Sequence, residues 1–195
     1  ITATWHGIST YTQELTNPIF WRVIENNGLL LLAVPVAIIL PMGIAFILNE
    51  KVTGWKFFRS IYFLPTAISW VVIGMVAMRF FAAEGGLNDL LKTFGLGFIH
   101  TDFLSSEKGA LFAVGAVFVW SMIGTNSIIF LTGMATLDQS LNEAAHMDGA
   151  GAIRIFWSIT LPQLKRFVQF SFIITVISAF TALFSLIFVM ANAHI

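Results

Sequence analysis

Long uncharged apolar runs alternate with shorter polar segments along the chain. Four runs contain no Asp, Glu, Lys or Arg: 26–48, 61–78, 109–133 and 167–190. A helix needs about 20 mainly apolar residues to cross a bilayer, whereas membrane strands alternate apolar and polar residues over about ten. The pattern therefore predicts four membrane-spanning helices. Pro35 and Pro41 lie inside the first run, where a membrane bundle tolerates them.

The composition supports a membrane protein and excludes several other classes. Hydrophobic residues make up 57%, charged residues 10%, and the mean hydropathy is +0.87, whereas soluble domains carry about 25% charged residues. Lipid is therefore an expected partner. The formal net charge of zero gives no reason to expect a nucleic-acid partner. Because the chain begins at Ile1 without a Met, we interpret it as a fragment of a longer polypeptide.

The basic residues predict how the chain is oriented in the membrane. Four spans place the 49–60 and 134–166 loops on one face, and the loop of about 81–108 with both termini on the other. The first face collects more basic residues (Lys51, Lys56, Arg59, Arg154, Lys165 and Arg166) than the second (Arg22, Lys92 and Lys108, with Arg79 at its border). Cytoplasmic loops carry an excess of Lys and Arg, so the 136–162 segment is expected in the cytoplasm.

The polar segment at about 136–162 has the features of a helical hairpin. Thr136 followed by Gln139 fits a capping box at the start of a first helix. Gly149 suits a left-handed position at that helix's end, and a second short helix is expected at about 152–159. The pattern alone allows two readings: a rigid peg that transmits force to the flanking spans, or an ordinary solvated hairpin.

The spacing in this segment resembles the EAA loop of the membrane subunits of bacterial binding-protein-dependent ABC importers. The matching residues are Glu143, Ala144, Ala145, Asp148, Gly149, Ala150, Phe156, Leu161 and Pro162. Shorter motifs at 20–22, 26–27, 49–51, 58–59 and 63–65 follow the order found in carbohydrate-type permeases. The chain departs from that family at Leu137-Asp138, where Ile-Pro is usual, and after Met190, where a Gly-Gly-Pro loop and a last span usually follow.

The resemblance implies an all-α integral membrane fold, a polytopic helical bundle of ABC importer type. About six spans are expected in that family and four are predicted here. The segment would act as a coupling helix docked on separate ATP-binding subunits, which would hold the ATP and Mg²⁺. An extracytoplasmic solute-binding protein and a second permease subunit, usually a paralogue, would complete the transporter. The location implied is the bacterial inner membrane, with several passes.

The four runs carry neutral polar residues but no ionisable ones between their ends, which favours a route for an uncharged polyhydroxyl solute such as a sugar. Candidates for this route are Asn126, the foremost, with Trp70, Trp120, Ser69, Thr125 and Ser178, followed by Ser127, Thr175, Thr181 and Ser185. Hydrogen bonding between helices is the competing explanation for the Ser, Thr and Asn residues.

No phosphate-binding loop or cluster with metal-ligand spacing occurs in the sequence, so this chain is not expected to be an enzyme. Other hypotheses remain open at this point. The chain could serve an importer for amino acids or peptides, a self-sufficient secondary carrier or channel, or a membrane scaffold. A self-sufficient carrier would be active without any ATPase.

Overall fold

A computed structural model describes residues 8–49, 60–61, 63–96, 98 and 102–191. Within these residues every regular element is helical, which confirms the predicted all-α class. The basic residues Lys51, Lys56 and Arg59, on which part of the predicted orientation depends, lie outside the described residues.

The elements follow one another along the chain with short connections. They are α1 (Ser9–Thr16), α2 (Pro18–Leu31), α3 (Ala33–Asn49), a 3₁₀ turn (Leu64–Ala67), α4 (Trp70–Phe81), α5 (Gly86–Thr93), α6 (Glu107–Ala135), α7 (Gln139–Met147), α8 (Ala152–Ile155), a π-helical turn (Phe156–Thr160), a short helical turn (Leu161–Gln163) and α9 (Lys165–Ala191).

Proline chemistry explains the break between α2 and α3. Pro35 has no amide N–H, so the carbonyl of Leu31 loses its usual helical donor at the point where α2 ends. At the break, the amide of Leu32 donates to the carbonyl of Leu29, three residues back, at 3.1 Å, whereas an α-helix would direct it four residues back. The two helices together still form one 32-residue apolar stretch, Pro18–Asn49, which begins earlier than the predicted 26–48 span.

The predicted 61–78 span is divided in the structure. The 3₁₀ turn contains Pro65, which has no amide N–H to donate to the carbonyl of residue 61 and so does not continue an α-helix from there. Helix α4 begins only at Trp70, after Ser69, whose hydroxyl accepts a hydrogen bond from the amide of Val72 at 3.4 Å. Helix α4 has 12 residues and is bent by 45° from α5, which lies within the predicted 81–108 loop.

Three long helices carry the bundle. Among the described residues, Pro18–Asn49, Glu107–Ala135 and Lys165–Met190 are long and apolar enough to cross a membrane, and α4 with α5 gives a fourth if the bent pair counts as one span. Helix α3 packs along α6, and α9 contacts α4, α6 and α3. The largest fully buried apolar side chains are those of Phe118, Phe130, Leu164 and Leu186.

Candidate coupling segment and polar cavity

The polar segment between α6 and α9 begins with a capped helix, but the cap is not the predicted one. Asp138 is the N-cap of α7, and its carboxylate accepts a hydrogen bond from the amide of Ser140 at 2.9 Å. The hydroxyl and amide of Ser140 hold the pKa of Asp138 below its ordinary value. Thr136 belongs instead to the end of α6, where its hydroxyl donates to the carbonyl of Gly133. The capping-box prediction was therefore wrong: α6 continues to Ala135, two residues beyond the predicted 109–133 run, and Thr136 is its C-cap.

Helix α7 ends in a Schellman motif, which confirms the left-handed conformation predicted for Gly149. Gly149 has φ +77°. Its amide donates to the carbonyl of His146 at 3.0 Å, and the amide of Ala150 donates to the carbonyl of Ala145 at 2.9 Å. These two bonds satisfy carbonyls that the helix end would otherwise leave without donors. Two of the predicted small residues, Ala145 and Ala150, are thus joined through their backbones.

The predicted coupling residues divide into an exposed and a half-buried group. Glu143, Ala144, Asp148, Gly149 and Pro162 are exposed, whereas Ala145, Ala150, Phe156 and Leu161 are half-buried. Phe156 and Leu161 pack against the protein's own core. The ring of Phe156 lies 4.8 Å from that of Phe46 on α3, centroid to centroid. These two residues are therefore turned toward the spans and away from the exposed surface.

Several exposed apolar residues of this segment were not among the predicted coupling residues. Met147 is 87% exposed, Ile153 77% and Trp157 62%. Met147 lies four residues after Glu143 and three after Ala144, so these three side chains share one exposed stripe of α7. Exposed apolar side chains on a polar segment are typical of a protein interface. Their position in a segment too polar for hydrocarbon was the signal that could have identified them.

The second half of the segment differs from the predicted helix at 152–159. Helix α8 ends at Ile155, and a π-helical turn follows in which the amide of Leu161 donates to the carbonyl of Phe156. Pro162 cannot donate the amide bond that an α-helix would direct to Ser158, which accounts for the irregular turn. Ile155, buried next to this turn, borders a cavity of about 70 Å³ between the segment and the ends of α3 and α6.

A second cavity, of about 210 Å³, brings together three of the six first-named candidates for the solute pathway. Trp70, Thr125 and Ser178 line it, with Pro65, Thr66, Ile68, Ile73, Ser121 and Met122. These lining residues include no ionisable side chain. The indole of Trp70 is stacked on Phe118 with ring centroids 6.2 Å apart. We call this space the polar cavity.

Two hydroxyl groups of the polar cavity, those of Ser121 and Thr66, were not among the predicted pathway residues. Ser121 donates to the carbonyl of Val117 at 2.8 Å, and Thr66 donates to the carbonyl of Phe63 at 2.6 Å. Each hydroxyl oxygen still has lone pairs that can accept a hydrogen bond from a solute. Thr66 lies on the 3₁₀ turn, so the helix break caused by Pro65 is the sequence signal that points to it.

The other three predicted pathway residues lie elsewhere. Ser69 is exposed and caps α4. Trp120 is 46% exposed and lines a neighbouring apolar cavity, which shares Ile68 and Ile73 with the polar cavity. Asn126 is fully buried and bonded to α3 and α9. This geometry favours a structural role for Asn126, the competing explanation, over solute contact.

Comparison with known proteins agrees with this architecture. The chain matches the family model "Binding-protein-dependent transport system inner membrane component" over residues 15–194. It is 32% identical over 178 residues to a probable ABC transporter permease protein of Pyrococcus horikoshii, covering 90% of this chain and 61% of the relative. It is also 32% identical over 177 residues to a multiple sugar-binding transport system permease protein of Streptococcus mutans, covering 90% of this chain and 60% of the relative.

A solved structure shares the fold. The chain superposes with a TM-score of 0.85 on a chain of a bacterial ABC transporter involved in the import of the acidic polysaccharide alginate, at 22% identity, covering 98% of this chain and 69% of that one. The chain spans about three fifths of the length of the curated relatives described above (61% and 60%). The predicted family is confirmed: the chain belongs to the inner membrane components of binding-protein-dependent transport systems.

Proposed function

We propose that this chain is part of a permease subunit of an ATP-driven importer for a neutral sugar or related polyol. We call the polar segment at about 136–162 the coupling segment. One observation carries the proposal: this segment joins α6 and α9, the two long helices whose side chains line the polar cavity. A partner that moves the segment therefore acts on both walls directly. Two of the relatives fit a sugar substrate by name, the Streptococcus mutans permease and a xylose/arabinose import permease protein of Haloferax volcanii.

The lining of the polar cavity supports a neutral polyhydroxyl solute. Thr66, Ser121, Thr125 and Ser178 supply hydroxyl groups, and Trp70 supplies an aromatic surface. Sugars present both C–H faces and hydroxyl groups, so this combination suits them. A cationic or anionic solute would favour an opposite charge on the lining, and the described lining residues carry none.

The energy for transport would come from partner subunits that bind ATP and Mg²⁺. The exposed stripe of α7, with Glu143, Ala144 and Met147, is the surface that we assign to that contact. A second permease subunit would complete the pathway, and a solute-binding protein would deliver the sugar on the opposite face. One solved structure of the alginate transporter contains a periplasmic protein bound to an alginate pentasaccharide, which supports a partner of this kind.

Charge reversal at Glu143 tests the proposal. The full-length permease, assembled with its ATPase in liposomes, is assayed for ATP-dependent uptake of a panel of neutral mono- and disaccharides and for ATP hydrolysis. Glu143→Lys is expected to lower uptake about tenfold or more, since a buried interfacial charge of the wrong sign is costly. Glu14→Lys, the same reversal on exposed α1, is the matched control and should retain uptake.

Three results would contradict the proposal. Normal sugar uptake by the Glu143→Lys variant would remove the coupling role. Uptake by the permease without any ATPase would identify a secondary carrier. ATP-dependent uptake of amino acids or peptides, with no sugar moved, would keep the importer but change its substrate class.

A further inference from the structure

A buried amide connects three helices in the core of the bundle. Asn126 on α6 is 0% exposed. Its Nδ2 donates to the carbonyl of Ala37 on α3 at 2.6 Å and to the hydroxyl of Thr175 on α9 at 3.0 Å. Its Oδ1 accepts from the hydroxyl of Ser171, also on α9, at 2.9 Å. We call Ala37, Asn126, Ser171 and Thr175 the polar clasp.

Pro41 explains why the amide of Asn126 is directed at Ala37. In an α-helix the carbonyl of Ala37 accepts from the amide of residue 41, but proline has no N–H to donate. A buried carbonyl without a donor costs free energy in a membrane interior even more than in a soluble core. Asn126 therefore supplies from α6 the hydrogen bond that the sequence of α3 cannot supply, and Pro41 itself is buried at this crossing.

The polar clasp lies between the coupling segment and the polar cavity. Along α6, Asn126 follows the cavity residues Ser121 and Thr125 and precedes the segment. Along α9, Ser171 and Thr175 follow the segment and precede the cavity residue Ser178. The clasp thus joins α6 to α9 a second time, about nine residues above the segment that links them covalently. Side chains in the cavity are adjacent to it on both helices.

We propose that Asn126 is a positioning residue of the transporter, which holds α3, α6 and α9 together as one body so that Thr125 and Ser178 keep their places in the polar cavity. It acts without touching the solute, because the bonds to Ala37, Thr175 and Ser171 occupy both ends of its amide. The stabilising part of this inference stands on the contacts alone, and only the part concerning solute affinity rests on the proposed function.

A rescue experiment tests whether Asn126 bonds to the carbonyl of Ala37 because Pro41 cannot. Asn126→Leu keeps the approximate volume but leaves the Ala37 carbonyl without a donor, so the thermal midpoint of the full-length protein in detergent should fall by about 3–6 °C. Adding Pro41→Ala restores an amide N–H at residue 41, and Ser171 and Thr175 can bond to carbonyls of their own helix. The double variant should therefore recover more than half of the lost midpoint.

Uptake kinetics distinguish positioning from simple stability. In the assembled transporter, using the neutral sugar that the wild type moves fastest, Asn126→Leu should raise the KM for uptake about tenfold, and the double variant should reverse most of that rise. Ser127→Ala is the matched control, because Ser127 is equally buried but its hydroxyl lies 3.5 Å from the carbonyl of Pro41, the limit of a hydrogen bond. The thermal midpoint and the KM for uptake of Ser127→Ala should both stay near the wild-type values.

Two results would overturn the inference. A double variant no more stable than Asn126→Leu would show that the Ala37 carbonyl is not what Asn126 satisfies. A lower maximal rate with unchanged KM in Asn126→Leu would reduce Asn126 to a stabilising residue. The thermal comparison decides the clasp even if the wild type transports no sugar, so failure of the clasp and failure of the proposed function are separable.

Discussion

The ring of Phe156 in the coupling segment packs against the ring of Phe46 near the end of α3, with a centroid distance of 4.8 Å and an interplanar angle of 59°. Residue 156 was predicted to contact the partner ATPase. Its half-buried ring also makes a packing contact between the segment and a helix that does not adjoin it in the chain. Displacement of the segment therefore reaches α3 by packing as well as α6 and α9 by covalent connection.

Replacement of Phe156 should uncouple ATP hydrolysis from uptake without releasing the ATPase. Phe156→Ala removes an aromatic pair worth about 0.5–1.5 kcal/mol beyond its buried area. The ratio of sugar transported to ATP hydrolysed should fall, while the ATPase still co-purifies with the permease. Phe46→Ala should lower this ratio similarly, and the double variant should add little. Loss of ATPase binding in Phe156→Ala but not in Phe46→Ala would return Phe156 to the partner interface.

Gly149 and Gly151 should respond differently to the same added methyl group. Gly149 has φ +77° and Gly151 has φ −71°, and a Cβ at either position would meet no atom within 4 Å. Gly149→Ala should therefore cost about 1–2 kcal/mol from backbone strain alone. Gly151→Ala should be close to neutral.

Hydrogen exchange at the backbone amides of α7 measures this difference. Faster exchange is expected at the end of α7 in Gly149→Ala, and Gly149→Asn should lie between that variant and the wild type because Asn tolerates the left-handed region. Equal exchange in Gly149→Ala and Gly151→Ala would contradict the Schellman motif.

Gly133 should tolerate no side chain where α6 meets α9. A Cβ at Gly133 would lie 2.7 Å from Cγ of Phe167 and 2.9 Å from Cδ2 of the fully buried Leu164. Gly133→Ala should lower stability by about 1–3 kcal/mol through overpacking. Gly43→Ala is the matched control, since a Cβ there meets nothing within 4 Å in helical α3, and it should be neutral or slightly stabilising.

Thermal unfolding of the purified permease in detergent provides the comparison for Gly133. A second substitution, Phe167→Leu, relieves the clash and should restore part of the midpoint lost in Gly133→Ala. A Gly133→Ala protein as stable as Gly43→Ala would show that the two helices separate more easily than the packing indicates.

Trp70 and Trp120 should differ in their effect on sugar uptake. Trp70 lines the polar cavity, whereas Trp120 lines the neighbouring apolar cavity. Trp70→Ala should raise the KM for the transported sugar about tenfold, because a stacking surface for the ring is lost. Trp120→Ala should leave the KM near that of the wild type. The opposite ranking would move the proposed sugar route to the apolar cavity lined by Trp120.

Apolar length and turn chemistry were sufficient to predict much of this molecule. The all-helical class, the long helices around 109–133 and 167–190 and the left-handed Gly149 depend on local sequence, so they could be predicted. Pro65 also indicates that the second predicted span is divided. Because 61–78 contains no charged residue, however, it was predicted to be one continuous helix. The N-cap at Asp138 was missed because Thr136 and Asp138 are only two residues apart and both are residue types that favour this position.

Interactions between distant helices could not be predicted in the same way. The polarity of Asn126 is compatible with solute contact or with bonds to other helices, and only its proximity to Ala37 and Thr175 decides between them. Likewise, Phe156 matches a family motif whether it faces outward or toward Phe46. Which surface a side chain faces depends on residues far away in the sequence, and a single sequence does not specify those neighbours.

Helices α6 and α9 are joined at two places, by the coupling segment and again by the polar clasp, so a rotation of one helix carries the other with it. From Ala135 to Ser121 the helix is about 20 Å long, at 1.5 Å per residue. A rotation of about 10° around the segment end would therefore displace the cavity wall at Ser121 by about 4 Å, more than the diameter of a water molecule. A small tilt imposed at the coupling segment would thus produce a displacement of molecular size at the cavity wall.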